Sequence, residues 1–377
     1  MDEIQTLKLS CLESPHDADL WHAYASAAID EGDLDTAIIA ARRASELSKD
    51  FVHTSLSGRL ELLIGDPLAA KRHFISILQN RPDELDFRAY LGSAELQIGN
   101  LEQAKECFSK VLALNPKHEH ALLGKAKVEL TQGNPDVAVE ICIGALESEA
   151  EDADGFIMTL GESVLRMGDA ERAQGIYENA CQFNPENRDA WIALVNVQLL
   201  LKAHAEANET LESAKQVFPG DLTLMLLEGQ LAFLREEPLK ARPLFNHVLE
   251  IDPEAAEARV SLAMLELGEG NIQLAAKIIS PAVENPAPRL DALLVAASVA
   301  EASEDYASAV RFAKSATEIL PENYRAQLSL GRNLLNTRDF PPARRALQKA
   351  LALADSDEAR SVAQQLLDAA QIGRAHV

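Results

Sequence analysis

The sequence is short of aromatics, of cysteine and of positive charge, and it contains no long apolar run. Phe, Trp and Tyr together make up 5% of the 377 residues. A sheet core built on rings and β-branched side chains is therefore disfavoured, and alanine and leucine must carry the packing. The four cysteines, Cys11, Cys107, Cys142 and Cys181, are nowhere closer than 35 residues, which excludes both a Cys-x-x-Cys zinc site and a disulfide framework. Lys and Arg number 35 against 59 Asp and Glu, a net charge of −24. That balance lacks the basic footprint of a nucleic-acid binder and disfavours anionic membrane surfaces. No stretch of 18 apolar residues occurs, so no membrane insertion is expected. The first residues, Met1-Asp2-Glu3-Ile4, lack a basic leader and an apolar run. As written the chain reads as cytoplasmic, with a periplasmic or lipid-anchored location following only from a leader upstream of Met1.

Catalytic signatures are missing as well. There is no phosphate-binding loop, no dinucleotide fingerprint, no His-Glu-x-x-His and no nucleophile elbow. Lys117-His118-Glu119-His120 is the densest histidine cluster, at a turn and without further ligands, and it reads as a solvated turn. Asp152-Ala153-Asp154-Gly155 is too short for a calcium loop. No catalytic residue, cofactor or metal is expected, and the chain is not expected to be an enzyme.

What the sequence does hold is a period. Alanines at 37, 70, 104, 138, 173, 207, 241, 275, 309 and 343 are spaced by 33, 34, 34 and 35 residues and then by 34 five times. Twelve residues before each stands a small or slim side chain, such as Gly58, Gly92, Ala126, Gly161 or Gly331; four after stands a filler, such as Phe74, Phe108, Tyr177, Phe245 or Leu347. Seven after comes Ala44, Ile77, Val111, Ala180 or an equivalent. These spacings put one apolar face on each of two helices per unit. The punctuation agrees. Gly32, Gly65, Gly99, Gly133, Gly168 and Gly270, each followed by Asp or Asn, separate the two helices. Pro82, Pro116, Pro185, Pro219, Pro253 and Pro321 close the second. Lys202 and Glu304 replace the turn glycine in two units. Pro281, with Pro286 and Pro288, predicts a kink or an offset stack near 280–289, and Pro243 a similar disturbance.

This pattern resembles the tetratricopeptide-repeat family over residues 17–357. Trp21 and Trp191 stand at the family's tryptophan position, and Leu91, Gly92, Ala104, Phe108, Val111 and Pro116 match its best-kept positions. The resemblance implies an all-α, right-handed solenoid of ten helix-turn-helix repeats, bacterial in type, whose first helices line a concave groove.

Three registers fall on that groove. Fifteen residues before the repeat alanine lie His22, Ser55, Ala89, Leu123, Met158, Ile192, Leu226, Val260, Leu294 and Leu328. Eleven before lie Lys127, Asn196, Gln230, Met264 and Arg332 among others; eight before lie Phe233, Leu267 and Glu301 among others. Apolar stripes flanked by polar groups suit an amphipathic helix or an extended peptide. Leu123, Met158, Ile192, Leu226, Phe233 and Val260 are the expected apolar contacts, and Lys127, Asn196 and Gln230 the expected hydrogen-bonding groups. The alternative is that the two apolar registers are spent between neighbouring helices. No three adjacent units carry a basic clamp for a chaperone's acidic tail. The expected partners are proteins or peptides, with no nucleic acid; the oligomeric state is open.

The ends are expected to be incomplete. Residues 1–16 read as a partial helix and 358–371 as a capping helix or the start of another repeat. Residues 372–377 read as a foreign, adapter-derived tail. The chain is therefore expected to be a piece of a longer protein, either a scaffold throughout or the repeat part of an enzyme of glycosyltransferase or sulfotransferase type. An exported protein of envelope or exopolysaccharide assembly is a further alternative.

Overall fold

Each repeat alanine is fully buried on the second helix of a hairpin, and the chain is a succession of such hairpins. A computed structural model describes residues 3–372. Its described residues form 22 helices and no strand. They fall into two compact units, divided between Leu201 and Lys202.

The first unit opens with α1 (Glu3–Glu13), α2 (Ala18–Asp30), α3 (Leu34–Leu47) and α4 (Phe51–Leu63). It continues with α5 (Pro67–Asn80), α6 (Leu85–Ile98), α7 (Leu101–Leu114) and α8 (Glu119–Thr131). It ends with α9 (Pro135–Glu147), α10 (Ala153–Arg166), α11 (Ala170–Phe183) and α12 (Arg188–Leu200). The second unit holds α13 (His204–Val217), α14 (Leu222–Leu234), α15 (Pro238–Ile251), α16 (Ala256–Gly268) and α17 (Ile272–Glu284). It closes with α18 (Leu290–Ala302), α19 (Tyr306–Ile319), α20 (Tyr324–Asn336), α21 (Phe340–Leu353) and α22 (Asp357–Ile372). Even-numbered helices from α2 to α20 are the first helices of hairpins, and odd-numbered helices from α3 to α21 the second.

The local reasons are those the sequence advertises. Gly32, Gly65, Gly99, Gly133, Gly168 and Gly270 all sit at φ between 76° and 90°, a left-handed conformation that closes the first helix and that only glycine adopts without cost. Lys202 and Glu304, the two expected replacements, adopt the same conformation at φ 59° and 58°. Glu236 and Arg338 do so as well. Pro67, Pro135 and Pro238 each start a helix, where the missing N–H goes unmissed. Asp33, Asp66, Asp169 and Asp305 cap their helices through a backbone N–H.

The tryptophan position has a defined task. The indole N–H of Trp21 donates to the carbonyl of Pro15 at 3.2 Å, and that of Trp191 to Pro185 at 2.9 Å. Arg88 makes the same bond to Pro82 at 2.6 Å and Gln327 to Pro321 at 2.8 Å, and Arg259 makes it to Pro253. Three chemistries thus supply one donor that ties a helix to the carbonyl six residues upstream.

A buried glutamate ladder was not read from the sequence. Glu95, on α6, is held by Lys71 on α5 at 2.9 Å and by the side-chain N–H of Asn100 at 2.8 Å. Glu129 repeats this with Lys105 at 2.9 Å and Asn134 at 2.9 Å, and Glu266 with Arg242 at 2.6 Å and Asn271 at 2.7 Å. In the first unit Arg42, one turn further along its helix, reaches Glu61 at 3.2 Å. Each ladder rung fastens one hairpin to the next. Hydrogen bonds offset the desolvation of the buried carboxylate.

Neither Pro243 nor Pro281 ends its helix: α15 runs on to Ile251 and α17 to Glu284, and the non-helical stretch is 285–289, where Pro286 and Pro288 stand. At the ends, α1 packs on α2, and α22 packs on α21 and α20, burying Ala363, Leu367 and Ala370. The expected foreign tail lies, from residue 373 onward, outside the described residues.

Candidate functional site

The even-numbered helices present the three groove registers in different ways. The register eleven residues before the repeat alanine is never buried: Arg59, Lys127, Glu162, Asn196, Met264 and Ser298 are exposed and the others half-buried. The register fifteen before is mostly half-buried, because its side chains lie partly between adjacent even-numbered helices. The apolar stripe is thus divided, one flank against the neighbouring helix and one flank open.

The expected site residues separate accordingly. In the first unit Lys127 is exposed and Met158 half-buried, and the two line one cleft of 660 Å³ with Asp154, Glu162, Asn184 and Asp189. Most of the side chains lining that cleft are polar, and Met158 and Tyr177 are its large apolar contributors. Leu123 is half-buried and lies close to Gly155 on α10. Ile192 is half-buried and Asn196 exposed on α12. In the second unit Gln230 reaches Ser261 at 3.5 Å, and Phe233 packs half-buried against the core of α14 to α16. Leu226 and Val260 are the least exposed of the expected contacts. At 6% and 7% exposure they belong to core clusters, because branched side chains there are enclosed by the following helices. A small part of each still shows at a cleft, Val260 beside Met264 and Leu226 beside Thr223.

The more apolar cleft lies on α16, α18 and α20, inside the second unit. It measures about 450 Å³ and is lined by Met264, Leu267, Leu294, Leu328, Arg325 and Arg332, with Asp291, Ser298 and Glu301 on its margin. Met264 is 42% exposed, and its flexible thioether adapts to different ligand shapes. Seven of these nine residues stand in the registers read from the sequence, Arg325 and Asp291 being the exceptions. Arg325 stands outside them, three residues before Leu328, and only helical phase could have placed it.

The histidines do not converge on a metal. His118 caps α8 and bonds Asp86 at 3.0 Å, and His120 bonds the hydroxyl of Ser93 at 2.9 Å. Burial pushes the His120 imidazole below its ordinary value, with His118 adding to the effect. His22 and His53 meet edge to face at 5.2 Å, and burial holds His22 low as well. Among the described residues no group of three His, Cys, Asp or Glu side chains is arranged to hold a metal ion. All four cysteines are free, and burial pushes Cys142 up to about 11 and Cys181 up to about 12, far from a nucleophilic thiolate. Among the described residues no helix is long and apolar enough to cross a membrane.

Comparison with known proteins agrees with this architecture. Tetratricopeptide-repeat family models match residues 18–51, 91–154 and 164–227. The human protein O-mannosyl-transferase TMTC3 is 26% identical over 61% of this chain, and the cellulose synthase 1 operon protein C of Komagataeibacter xylinus 27% over 76%. The chain spans only 26% and 20% of those two proteins. The crystal structure of yeast Tom70 superposes with a TM-score of 0.51, covering 95% of this chain and 96% of that one at 16% identity, a likeness of fold.

Proposed function

The chain belongs to the tetratricopeptide-repeat family, and on that premise we propose that it is a protein-binding scaffold whose ligand face within each unit is carried by the even-numbered helices. The observation that carries this reading is the cleft on α16, α18 and α20. It combines an exposed methionine, half-buried leucines and charged margins on one continuous face. A groove of that kind recognises a segment of another protein, with apolar side chains for affinity and polar groups for register. The polar cleft around Lys127 and Met158 is a secondary contact region. Asn196 and Gln230 are suited to hydrogen-bonding a peptide backbone.

The test is affinity capture from a cell lysate with the full chain and with Met264→Glu. Met264 is the right probe because it is exposed, whereas Leu226 is core and its substitution would report folding. Proteins retained by the native chain and lost from a variant of unchanged helicity support the reading. An identical set captured by both removes this face as the binding site.

A second reading is favoured by the names of the relatives. The chain would be the repeat portion of a longer transferase, or of a protein acting beside a cellulose synthase. In that case the same face would bind a neighbouring domain or subunit. The genomic reading frame on either side of this sequence distinguishes the two.

A further inference from the structure

The margin of the apolar cleft carries two arginines without an internal partner, and this bears on what the cleft holds. Arg325 and Arg332 both stand on α20 and both line the cleft. With Leu328 and Ser329 between them they occupy positions i, i+3, i+4 and i+7, one face of a helix. Their backbones are about 10 Å apart along the axis. Among the described residues neither forms an ion pair or a hydrogen bond. The chain carries a net charge of −24, yet no described carboxylate pairs with either. Arg42, Lys71, Lys105 and Arg242 are all engaged by internal glutamates.

The carboxylates nearest the cleft do not neutralise the pair. Asp291 is held by the guanidinium of Arg289 through both oxygens, at 3.1 and 3.0 Å. Glu301 lines the cleft from α18. The local charge pattern extends beyond the cleft. From α20 through α21 the chain has six basic residues, Arg325, Arg332, Arg338, Arg344, Arg345 and Lys349, against the single acid Asp339. Of these Lys349 is paired, with Glu322 at 2.8 Å. The acidic scaffold therefore has a markedly basic hairpin, α20 with α21, whose first helix forms one wall of this apolar cleft.

We infer that the cleft on α16, α18 and α20 takes an acidic amphipathic segment of a partner protein, with apolar side chains on Met264, Leu294 and Leu328 and two carboxylates on Arg325 and Arg332. This rests on the scaffold reading above and specifies the partner's chemistry. Two guanidinium forks match carboxylates bidentately, and Leu328 between them helps exclude water from the contact. The spacing corresponds to acids seven residues apart on a helical ligand or about three apart on an extended one. Glu301 on α18 repels an acid, so the ligand's carboxylates are directed to α20. The contacts are side-chain contacts within a segment and require no chain terminus.

The experiment uses the full chain and two fluorescein-labelled amphipathic peptides. One has two glutamates seven residues apart with leucines between them. The other is identical but carries glutamine in place of both. Fluorescence anisotropy is read against the native chain, Arg325→Ala, Arg332→Ala and Met264→Glu, with circular dichroism on each variant. The acidic peptide is expected to bind the native chain about tenfold or more tightly than its amide twin, and each arginine removed is expected to weaken it by about tenfold. Added salt should erode only the acidic peptide's advantage. These contrasts in the native chain alone keep the test decisive should an arginine variant fold poorly. Equal binding of both peptides, abolished by Met264→Glu, overturns the acidic-partner inference and leaves the scaffold face standing. Binding insensitive to Met264→Glu, or no binding of the acidic peptide, overturns the inference and removes support from the face itself.

Discussion

The ring of Phe108 on α7 fills the space in front of Gly124 on α8 so fully that a Cβ added at Gly124 would stand 2.2 Å from the ring's Cζ. The same ring covers Gly92 on α6, where an added Cβ would lie 2.7 Å from Cε1. One aromatic thus needs two glycines, one in its own hairpin and one in the next. Gly124→Ala is expected to destabilise the protein by about 2 kcal/mol or more, overpacking outweighing the gain in helix propensity. Gly144→Ala, on the open side of α9 with nothing within 4 Å of the new Cβ, is expected to stabilise by about 0.5–1 kcal/mol. Denaturant melts of the two variants give opposite signs if this packing is right.

Lys202 and Glu304 hold the left-handed turn that glycine holds elsewhere, at φ 59° and 58°. Lys202→Gly and Glu304→Gly should each raise stability by about 0.5–1 kcal/mol, because the strain of a Cβ in that conformation is relieved at some entropic cost. The same exchange at an ordinary helical site should lower it. Thermal melts of the two variants beside a control such as Glu212→Gly, exposed inside α13, check this.

The glutamate ladder sets an acid limit. Hydrogen bonds from Lys105 and Arg242 hold Glu129 and Glu266 below their ordinary value of 4.5. A depressed carboxylate contributes stability that is fully present above the unfolded value and is lost as pH falls through the folded one. The melting temperature should therefore drop as pH falls below 4.5. A Glu129→Gln, Glu266→Gln double variant should be less stable at neutral pH and less sensitive to acid over that range. Parallel acid sensitivity in both proteins would remove the ladder as the cause.

Burial of Cys142 and Cys181, with their thiols pushed up to about 11 and 12, predicts thiols nearly inert in the native protein. At pH 8 their modification by a thiol reagent should be slower by about a hundredfold or more than in denaturant, where all four cysteines react at ordinary rates. A rapid native reaction at either residue would mean that its hairpin opens readily.

Most of the fold was legible in the sequence, for a physical reason. In a helical-repeat chain each hairpin buries its face against its immediate neighbours, so the information is local and recurs with the period. The repeat alanines, the turn glycines and the N-terminal prolines announced the helices and their ends. The glutamate ladder escaped because its partners stand 24 residues apart, as in Lys71 and Glu95. An isolated glutamate in an acidic sequence does not declare that it is buried.

The candidate site was legible only as a set of registers. Sequence alone determined the all-helical repeat and the registers of side chains that recur on its helices, since these follow from spacing and turn chemistry. Only the tertiary structure decided which of those side chains are surface. Leu226 and Val260 are enclosed, while Met264 is open, because exposure depends on the bulk of residues contributed by neighbouring hairpins. It also decided that Arg325 and Arg332 share a cleft with Leu294 and Met264. Helical phase puts the arginines on one face, and only the packing of α16 and α18 beside α20 gives that face an apolar wall.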